Sequence, residues 1–318
     1  MRVSEKYSIY KGDCYCSPMA KTHRGEDRAI TTKVVGGIGN QLFCYFAGFY
    51  LAKKLGSELK IDVSDIRNKR SVHDVSIEVL DLPGTFFEIP SSPVRILLSR
   101  VRNKLTRALP IFRISKNSFT SIEIGFDRLL DKVTPPASIQ GYFQSYKYFS
   151  SCSEDIKVIK LKNPSSWYLD TEKALSKKKF TSMHVRRGDY VNFSGTYGLL
   201  SVNYYQDAIW NLSQQNHLYQ LHIFSDDIKA AREMLKNSVP EDVVWIDPPS
   251  ESNPVESLML MSLASSNIIA NSTYSWWGAT LNRSKHAVIA PMKWFRSMKD
   301  PELLYPPEWK LIESKWED

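Results

Sequence analysis

The sequence predicts an α/β protein with two domains, and three observations support this class. The chain has 318 residues, which is about twice the length of an ordinary domain, although one elaborated domain is the alternative. In its second half, short β-rich segments alternate with helical ones, as in a doubly wound parallel sheet. In its first half, a β-rich segment at residues 33–35 precedes a glycine-rich loop and an apolar helical segment at residues 42–55. Strand, glycine loop and helix form one unit of an α/β domain.

The composition is that of an ordinary folded protein. Hydrophobic residues make up 42% of the chain, charged residues 24% and aromatic residues 12%, which excludes a disordered or fibrous chain. No apolar stretch approaches the roughly 20 residues that cross a bilayer, and residues 1–33 lack the apolar core of a signal peptide. The four cysteines (Cys14, Cys16, Cys44 and Cys152) form no CxxC pair, which suits a reducing compartment. We therefore expect a cytoplasmic protein.

Most of the net charge of +8 lies in one segment. Residues 91–117 contain seven basic residues and no acidic one. Apolar residues recur there at helical spacing, which predicts a basic amphipathic helix at residues 94–108. Such a helix can rest on an anionic membrane surface, which would make the protein peripheral on the plasma membrane, but a solvated surface helix is the simpler interpretation. The segment lacks the interleaved aromatic residues of a stacking platform, so we expect no nucleic-acid partner.

The predicted elements follow a regular order after a linker at residues 162–166, which contains Asn163-Pro164. We predict strands at residues 181–185, 221–225, 243–246, 267–270 and 287–290. Helices are predicted between them at residues 202–213, 227–236, 254–265 and 273–282. This alternation indicates a parallel sheet covered by helices.

Polar residues cluster at the ends of three of these strands. The first cluster contains His184, Arg186, Arg187 and Asp189, the second Asp226 and Asp227, and the third Asn271, Ser272, Thr273 and Ser275. Because ligands of open α/β sheets bind outside the carboxyl ends of the strands, these residues predict a binding site at one sheet edge. Arginine forks, hydroxyl groups and the free N–H groups of a helix N-terminus all suit a pyrophosphate. The sequence therefore predicts a site for a nucleoside diphosphate.

Each cluster also has a simpler interpretation. The two arginines beside Asp189 can form a structural ion-pair cluster. One of Asp226 and Asp227 can cap the following helix, which leaves the other to accept hydrogen bonds from a guanine. Ser272 and Thr273 are good helix caps with or without a ligand. The adjacent Trp276-Trp277 pair points to core packing, because two neighbouring indoles on a helix diverge by about 100° and at least one must turn inside.

The glycine loop at residues 36–41 does not match a dinucleotide-binding fingerprint, because the third glycine of GxGxxG is missing. Gly37 and Gly39 would allow the backbone to approach a ligand closely, and Asn40 and Gln41 offer donors and acceptors to sugar hydroxyls or phosphate. A tight turn with a helix cap is the alternative. The loop therefore predicts a polar ligand other than NAD.

A bound metal is not predicted. The six histidines show no ligand spacing such as HExxH, and no two aspartates are two positions apart. Arginine would therefore have to neutralise the pyrophosphate, and we expect neither a metal nor another cofactor.

Five segments, taken together and in order, resemble the α-1,2-fucosyltransferases of glycosyltransferase family 11. They are residues 36–43, 141–149, 184–190, 224–227 and 271–278. The resemblance implies a GT-B-like fold of two Rossmann-like domains that face a cleft. Residues 33–165 would form the acceptor-side domain and residues 166–318 the domain that binds GDP-fucose, with residues 1–32 as an N-terminal extension.

The resemblance also implies roles for individual residues. Arg186 would contact the pyrophosphate and His184 would lie beside the nucleotide, while Asp226 or Asp227 would face the guanine. The segment 271–275 would line the phosphates, and Asn40 with Gln41 would close the cleft over the fucose.

The implied reaction is an inverting transfer of L-fucose from GDP-β-L-fucose to the 2-hydroxyl of a terminal galactose. The acceptor would be an oligosaccharide or a lipid-linked glycan, as in the synthesis of a surface polysaccharide of the O-antigen type. We expect Arg186 to neutralise the negative charge that develops on the leaving phosphate, with help from Arg187 and from the helix that begins at Thr273. Asp189 is the candidate general base, or it orients the arginines. A transferase for another nucleotide sugar and a non-catalytic basic module that binds polyanions remain alternatives.

Overall fold

A computed structural model describes residues 28–70, 74–90, 113–152, 159–282 and 287–317, together with the single residues 92, 101 and 104. The predicted basic helix at residues 94–108 lies outside the described residues, apart from two positions, and so do residues 1–27 of the predicted extension.

The first half of the chain forms a six-stranded sheet in the order β3-β2-β1-β6-β5-β4. Its strands are β1 (Ile30–Lys33), β2 (Leu59–Asp62), β3 (Thr85–Phe87), β4 (Ile114–Ser115), β5 (Ser118–Thr120) and β6 (Ala137–Gln140). All neighbouring strands are parallel except β4, which runs antiparallel to β5. The sheet therefore supports the α/β class predicted for this half.

Strand β1 lies earlier than predicted. It occupies Ile30–Lys33 instead of residues 33–35, so a domain boundary at residue 33 would cut through it. The reason is the turn at Gly36, whose φ of 70° ends the extended conformation and directs the chain into a helix.

Helix α1 (Ile38–Leu55) follows this turn and begins four residues before the predicted start at residue 42. Gly39 in its first turn has low helical propensity, but it packs closely against another helix, and tertiary packing overrides propensity here. The helix ends as predicted at Gly56, which has a φ of 58° and donates its N–H to the carbonyls of Ala52 and Lys53.

The second half forms a sheet in the order β12-β11-β10-β7-β8-β9, in which all neighbouring strands are parallel. Its strands are β7 (Phe180–Val185), β8 (Gln220–Ser225), β9 (Val244–Trp245), β10 (Ser266–Ile268), β11 (Ala287–Pro291) and β12 (Lys310–Ile312). The chain reverses its direction of travel across the sheet between β7 and β10. This order is that of a Rossmann fold, whose ligands bind at such a switch point.

Five helices accompany the second sheet. They are α2 (Ser166–Leu175), α3 (Val202–Gln214), α4 (Ile228–Leu235), α5 (Pro254–Met261) and α6 (Thr273–Thr280). Four of these helices and five of the strands were predicted, with ends that differ by at most a few residues. Helix α2 and strand β12 were not predicted, because half of the residues of α2 are polar and β12 has only three residues.

Helices α1 and α6 join the two halves through an aromatic cluster. The ring centroids of Phe43 and Trp276 are 4.5 Å apart, and Phe46 stacks on Trp277 at 4.9 Å. Both tryptophans are fully buried, so the expectation that at least one turns inside is confirmed. A Cβ added at Gly39 would lie 2.5 Å from the carbonyl carbon of Thr273. The N-termini of the two helices therefore meet closely at the junction of the halves.

Within the described part of the chain, no helix combines the length and the apolar character needed to cross a bilayer.

Candidate active site

A cleft of about 970 Å³ opens between the two halves, at the carboxyl ends of β7, β8 and β10. Its first wall comes from the first half of the chain and includes residues 36–40, 74–76, Tyr142 and Gln144. Its second wall comes from the second half and includes the ends of β7 and β8 and the start of α6. The volume lies at the upper end of the range for small-molecule sites, about 300–1,000 Å³. The cleft therefore has room for a nucleotide with a sugar.

Arg186 lies on the second wall, directly after β7. Its Nη1 is 2.9 Å from Oδ2 of Asp226, and its Nη2 pairs with Oδ1 of Asp189. The guanidinium carbon also lies 4.9 Å from the centre of the Tyr190 ring, a cation–π distance. Gly188 leaves the space in which the carboxylate of Asp226 approaches, because a Cβ there would clash with it. The guanidinium is therefore held in one orientation at the edge of the cleft.

His184 is the penultimate residue of β7, two positions before this arginine. Its side chain is 2% exposed, and its ring lies 5.4 Å from that of Tyr274. Burial, with a smaller contribution from Arg186, lowers the pKa of His184 to about 3. The imidazole is therefore neutral at physiological pH, so it can form hydrogen bonds but does not provide a positive charge.

The N-terminus of α6 completes the second wall. Ser272 is its cap, and the hydroxyl accepts a hydrogen bond of 3.4 Å from the N–H of Tyr274. Ser272 and Thr273 both line the cleft next to residues 37–40 of the first wall. The positive end of the helix dipole and its free N–H groups favour an anion at this position.

Several buried polar atoms of residues that line the cleft have no hydrogen-bond partner within the described residues. They include Nδ1 of His184, Nε of Arg186 and Oε1 of Gln144. Gln144 donates through its Nε2 to Oδ1 of Asn40 at 3.0 Å, which joins two parts of the first wall. Buried polar groups are nearly always hydrogen-bonded in native proteins, so these atoms are suited to bind a polar ligand or ordered water.

Gln144 belongs to the segment 141–149, but the sequence did not predict it as a site residue. It lies neither in one of the polar clusters at the strand ends nor in the glycine loop, the two signals that predicted the other residues. Phe143 before it adopts a φ of 53° while fully buried, which is unusual for a bulky residue.

Gln41 does not face the cleft. It is fully buried, its Nε2 donates to the carbonyls of Gly36 and Asp74 at 2.8 Å each, and its Oε1 accepts from the N–H of Ile77 at 3.0 Å. The side chain therefore joins two loops of the first wall, and the expected contact between Gln41 and the fucose has no support in this arrangement.

Arg187 points away from Arg186. Its Nη1 lies 2.6 Å from Oε1 of Glu317, near the end of the chain, and its side chain is 14% exposed. Its backbone N–H donates to Oδ1 of Asp226 at 2.9 Å. The structure therefore does not bring the guanidinium of Arg187 to the cleft, and the predicted help with the phosphate charge is not supported.

Neither of the two aspartates after β8 is left without protein partners. Asp227 caps α4 by accepting from the N–H of Ala230 at 2.9 Å, as expected for one member of the pair. Asp226 lines the cleft, but its two oxygens bind Arg186 and the backbone N–H of Arg187. Asp226 therefore acts as a partner of Arg186 in this structure, whereas the sequence assigned one of the two aspartates to the guanine.

Asn271 and Ser275 stabilise the loop behind the cleft. The Nδ2 of Asn271 lies 3.0–3.3 Å from three backbone carbonyls, those of Tyr197, Gly198 and Trp294. Ser275 is buried and donates to backbone carbonyls of its own segment. Of the predicted third cluster, only Ser272 and Thr273 line the cleft.

No group of three or more histidine, cysteine or acidic side chains that could hold a metal ion occurs among the residues that the structure describes.

Comparison with known proteins identifies the family. The model of glycosyl transferase family 11 matches residues 103–313, which is more than half of the chain. The chain belongs to this family. The resemblance drawn from the five segments is thereby confirmed, and with it the GT-B-like arrangement of two Rossmann-like domains around a cleft.

The relatives that match most of the chain include two proteins of Escherichia coli. The α-1,2-colitosyltransferase of Escherichia coli is 28% identical over 299 residues, which are 89% of this chain and 99% of that protein. The O-antigen biosynthesis glycosyltransferase WbnK of Escherichia coli is 30% identical over 285 residues, 82% of this chain and 93% of that protein. The crystal structure of the α-1,6-fucosyltransferase NodZ soaked with GDP-fucose gives a TM-score of 0.47 at 14% identity, over 80% of this chain and 92% of that one.

Proposed function

We propose that this family 11 glycosyltransferase moves L-fucose from GDP-β-L-fucose to the 2-hydroxyl of a terminal galactose, with inversion at the anomeric carbon. The observation that carries the proposal is the position of Arg186 beside the N-terminus of α6, at the switch point between β7 and β10. These two sources of positive charge lie where the diphosphate of a nucleotide binds in Rossmann folds.

The chemistry requires that the charge of the departing GDP be neutralised as the bond to the sugar breaks. Arg186 is suited to this role, because Asp189, Asp226 and Tyr190 hold its guanidinium in place before the reaction. A donor that is oriented in advance needs no reorganisation during the reaction, and removing one such donor costs about 2.7–4 kcal/mol. We propose that these groups make a metal unnecessary.

Asp189 is better suited to hold Arg186 than to accept a proton. Its carboxylate pairs with the guanidinium, and both would lie on the side of the cleft that holds the leaving group. We therefore give the second of the two roles expected from the sequence, orienting the arginine, to Asp189.

A nucleotide sugar that carries colitose instead of fucose is the second candidate for the donor. Colitose is fucose without the 3-hydroxyl, and the similarity to a colitosyltransferase over 89% of the chain favours it as an alternative sugar. The two donors share the GDP group, so the residues around Arg186 suit both equally. The choice between them depends on contacts to one hydroxyl group of the sugar.

The acceptor would be a galactose-terminated oligosaccharide or lipid-linked glycan of the O-antigen type. The support is the similarity to WbnK, whose name places that protein in O-antigen biosynthesis. A lipid-linked acceptor would give a purpose to the basic segment at residues 94–108 as a contact with an anionic membrane surface.

Calorimetry and a donor panel test the proposal. GDP should bind at micromolar strength in EDTA, and GDP-fucose or GDP-colitose with a panel of β-galactosides should give a product whose linkage NMR identifies as α-1,2. Loss of transfer in EDTA that magnesium restores would contradict the metal-free mechanism. Indifference to GDP together with salt-sensitive binding of polyanions would favour the non-catalytic module instead.

A further inference from the structure

Asp74 is a cleft carboxylate without an assigned role. Three carboxylates line the described part of the cleft, and two of them, Asp189 and Asp226, pair with Arg186 on the second wall. Asp74 lies on the first wall and its side chain is exposed. Within the described residues, its hydrogen bonds involve only its backbone carbonyl. Its carboxylate is therefore available to a ligand.

The geometry of an inverting displacement requires a base on the wall that carries Asp74. In a single displacement, the acceptor hydroxyl attacks the anomeric carbon from the side opposite the departing diphosphate. If the diphosphate binds at Arg186 and α6, the acceptor hydroxyl approaches from the side of the first wall. A base must lie within hydrogen-bond reach of that hydroxyl, directly or through one water. Asp74 is the one carboxylate on this wall within the described residues.

The backbone of Asp74 is held by one buried side chain and by a neighbouring backbone group. Its carbonyl accepts hydrogen bonds from Nε2 of Gln41 at 2.8 Å and from the N–H of Ser76 at 2.9 Å. Gln41 also binds Gly36 and Ile77, so one buried amide connects the glycine loop to the turn that carries Asp74. The carboxylate is thereby placed on the same wall as residues 36–40, and Gln41 acts as a positioning residue.

We propose that Asp74 is the general base of the transfer, an inference that rests on the proposed function. The oxygen of the acceptor hydroxyl forms the bond to the anomeric carbon, while the bond from that carbon to the β-phosphate oxygen breaks. The electron pair leaves with GDP. The hydroxyl proton moves to the carboxylate of Asp74 and from there to solvent.

The test compares Asp74→Asn with Asp81→Asn, a matched control at an exposed position outside the cleft. The assay uses GDP-fucose and methyl β-galactoside. Asp74→Asn should keep the GDP affinity and the donor KM within about twofold, because neither depends on the first wall's carboxylate. Its kcat should fall by about 10²–10⁴-fold, the usual contribution of a general base. Asp81→Asn should leave all three quantities unchanged.

A second acceptor distinguishes between Asp74 as a general base and Asp74 as a group that only binds the acceptor. Fluorine at the 3-position of the galactoside makes the 2-hydroxyl more acidic, so the loss caused by Asp74→Asn should be several-fold smaller with this acceptor. A kcat within about threefold of the unsubstituted protein, an equal loss with both acceptors, or a change confined to the acceptor KM would overturn the assignment of the base. If the unsubstituted protein neither binds GDP nor transfers sugar, the proposed function fails, and the role of Asp74 fails with it.

Discussion

Arg186 and Arg187 are neighbours in sequence whose guanidinium groups lie in different surroundings, so alanine at the two positions should have different consequences. Arg186 faces the cleft between two carboxylates, and Arg187 pairs with Glu317 outside it. The first substitution should abolish the reaction and leave the fold intact, whereas the second should affect stability alone.

The magnitudes follow from the contacts. The ion pairs of Arg186 involve side chains that are 20% to 50% exposed, so each contributes at most about 1 kcal/mol to folding. The same guanidinium at a departing phosphate is worth about 2.7–4 kcal/mol, or about 10²–10³ in kcat. For Arg187, the loss of one partly exposed ion pair should lower the free energy of unfolding by about 1 kcal/mol and leave kcat within about threefold.

The assays are release of GDP during transfer, calorimetric affinity for GDP, and urea unfolding of both variants. Arg186→Lys adds a further comparison, because lysine keeps the charge but lacks the planar fork that binds two oxygens at once. We expect lysine to restore only part of the activity. Equal losses of kcat at Arg186→Ala and Arg187→Ala, or a near-normal kcat in Arg186→Ala, would refute the assignment of Arg186 to the diphosphate.

Two further substitutions test how the walls are held. Gly39→Ala places a Cβ 2.5 Å from Thr273 and should push the N-termini of α1 and α6 apart. Urea unfolding should then show a loss of about 1–3 kcal/mol, and turnover measurements a lower kcat. The control Gly195→Ala, whose Cβ meets no atom within 4 Å, should change neither quantity. Gln41→Leu removes three hydrogen bonds and takes the partner from the Gly36 carbonyl and from the N–H of Ile77. Urea unfolding should therefore show a loss of about 3 kcal/mol, against less than about 0.5 kcal/mol for the exposed Gln214→Leu. A wild-type unfolding midpoint in Gly39→Ala would contradict the close packing of the two helices, and one in Gln41→Leu would contradict the hydrogen bonding described.

The fold was largely predictable from sequence because its signals are local. Strands such as β7 are buried along their whole length, and the helices after β10 and β8 have clear start signals in Ser272 and Asp227. The start of α1 was missed because a contact with α6, far away in the chain, allows glycine inside the first helical turn. Helix α2 was missed because half of its ten residues are polar, which weakens the periodic signal.

The site was predictable as a region but not residue by residue. Polar residues after parallel strands must meet at one sheet edge, so the cleft around Arg186 and Ser272 followed from the order of the elements. Which member of a pair faces the ligand did not follow. Arg187 pairs with Glu317, which lies 130 positions later in the chain, and Gln41 binds Ile77, which lies 36 positions later. No sequence pattern specifies a hydrogen bond over such separations.

The amino-acid sequence by itself determined the α/β class, the succession of strands and helices, the family, and the set of polar side chains that gather at the carboxyl edge of the second sheet. Only the tertiary structure decided that Arg186 and Asp74 line opposite walls of one cleft, while Arg187 pairs with Glu317, Asp227 caps α4 and Gln41 is buried between two loops. The physical reason is that periodicity and helix capping act between near neighbours, whereas the direction of a side chain depends on buried partners that only the folded chain brings within hydrogen-bond distance.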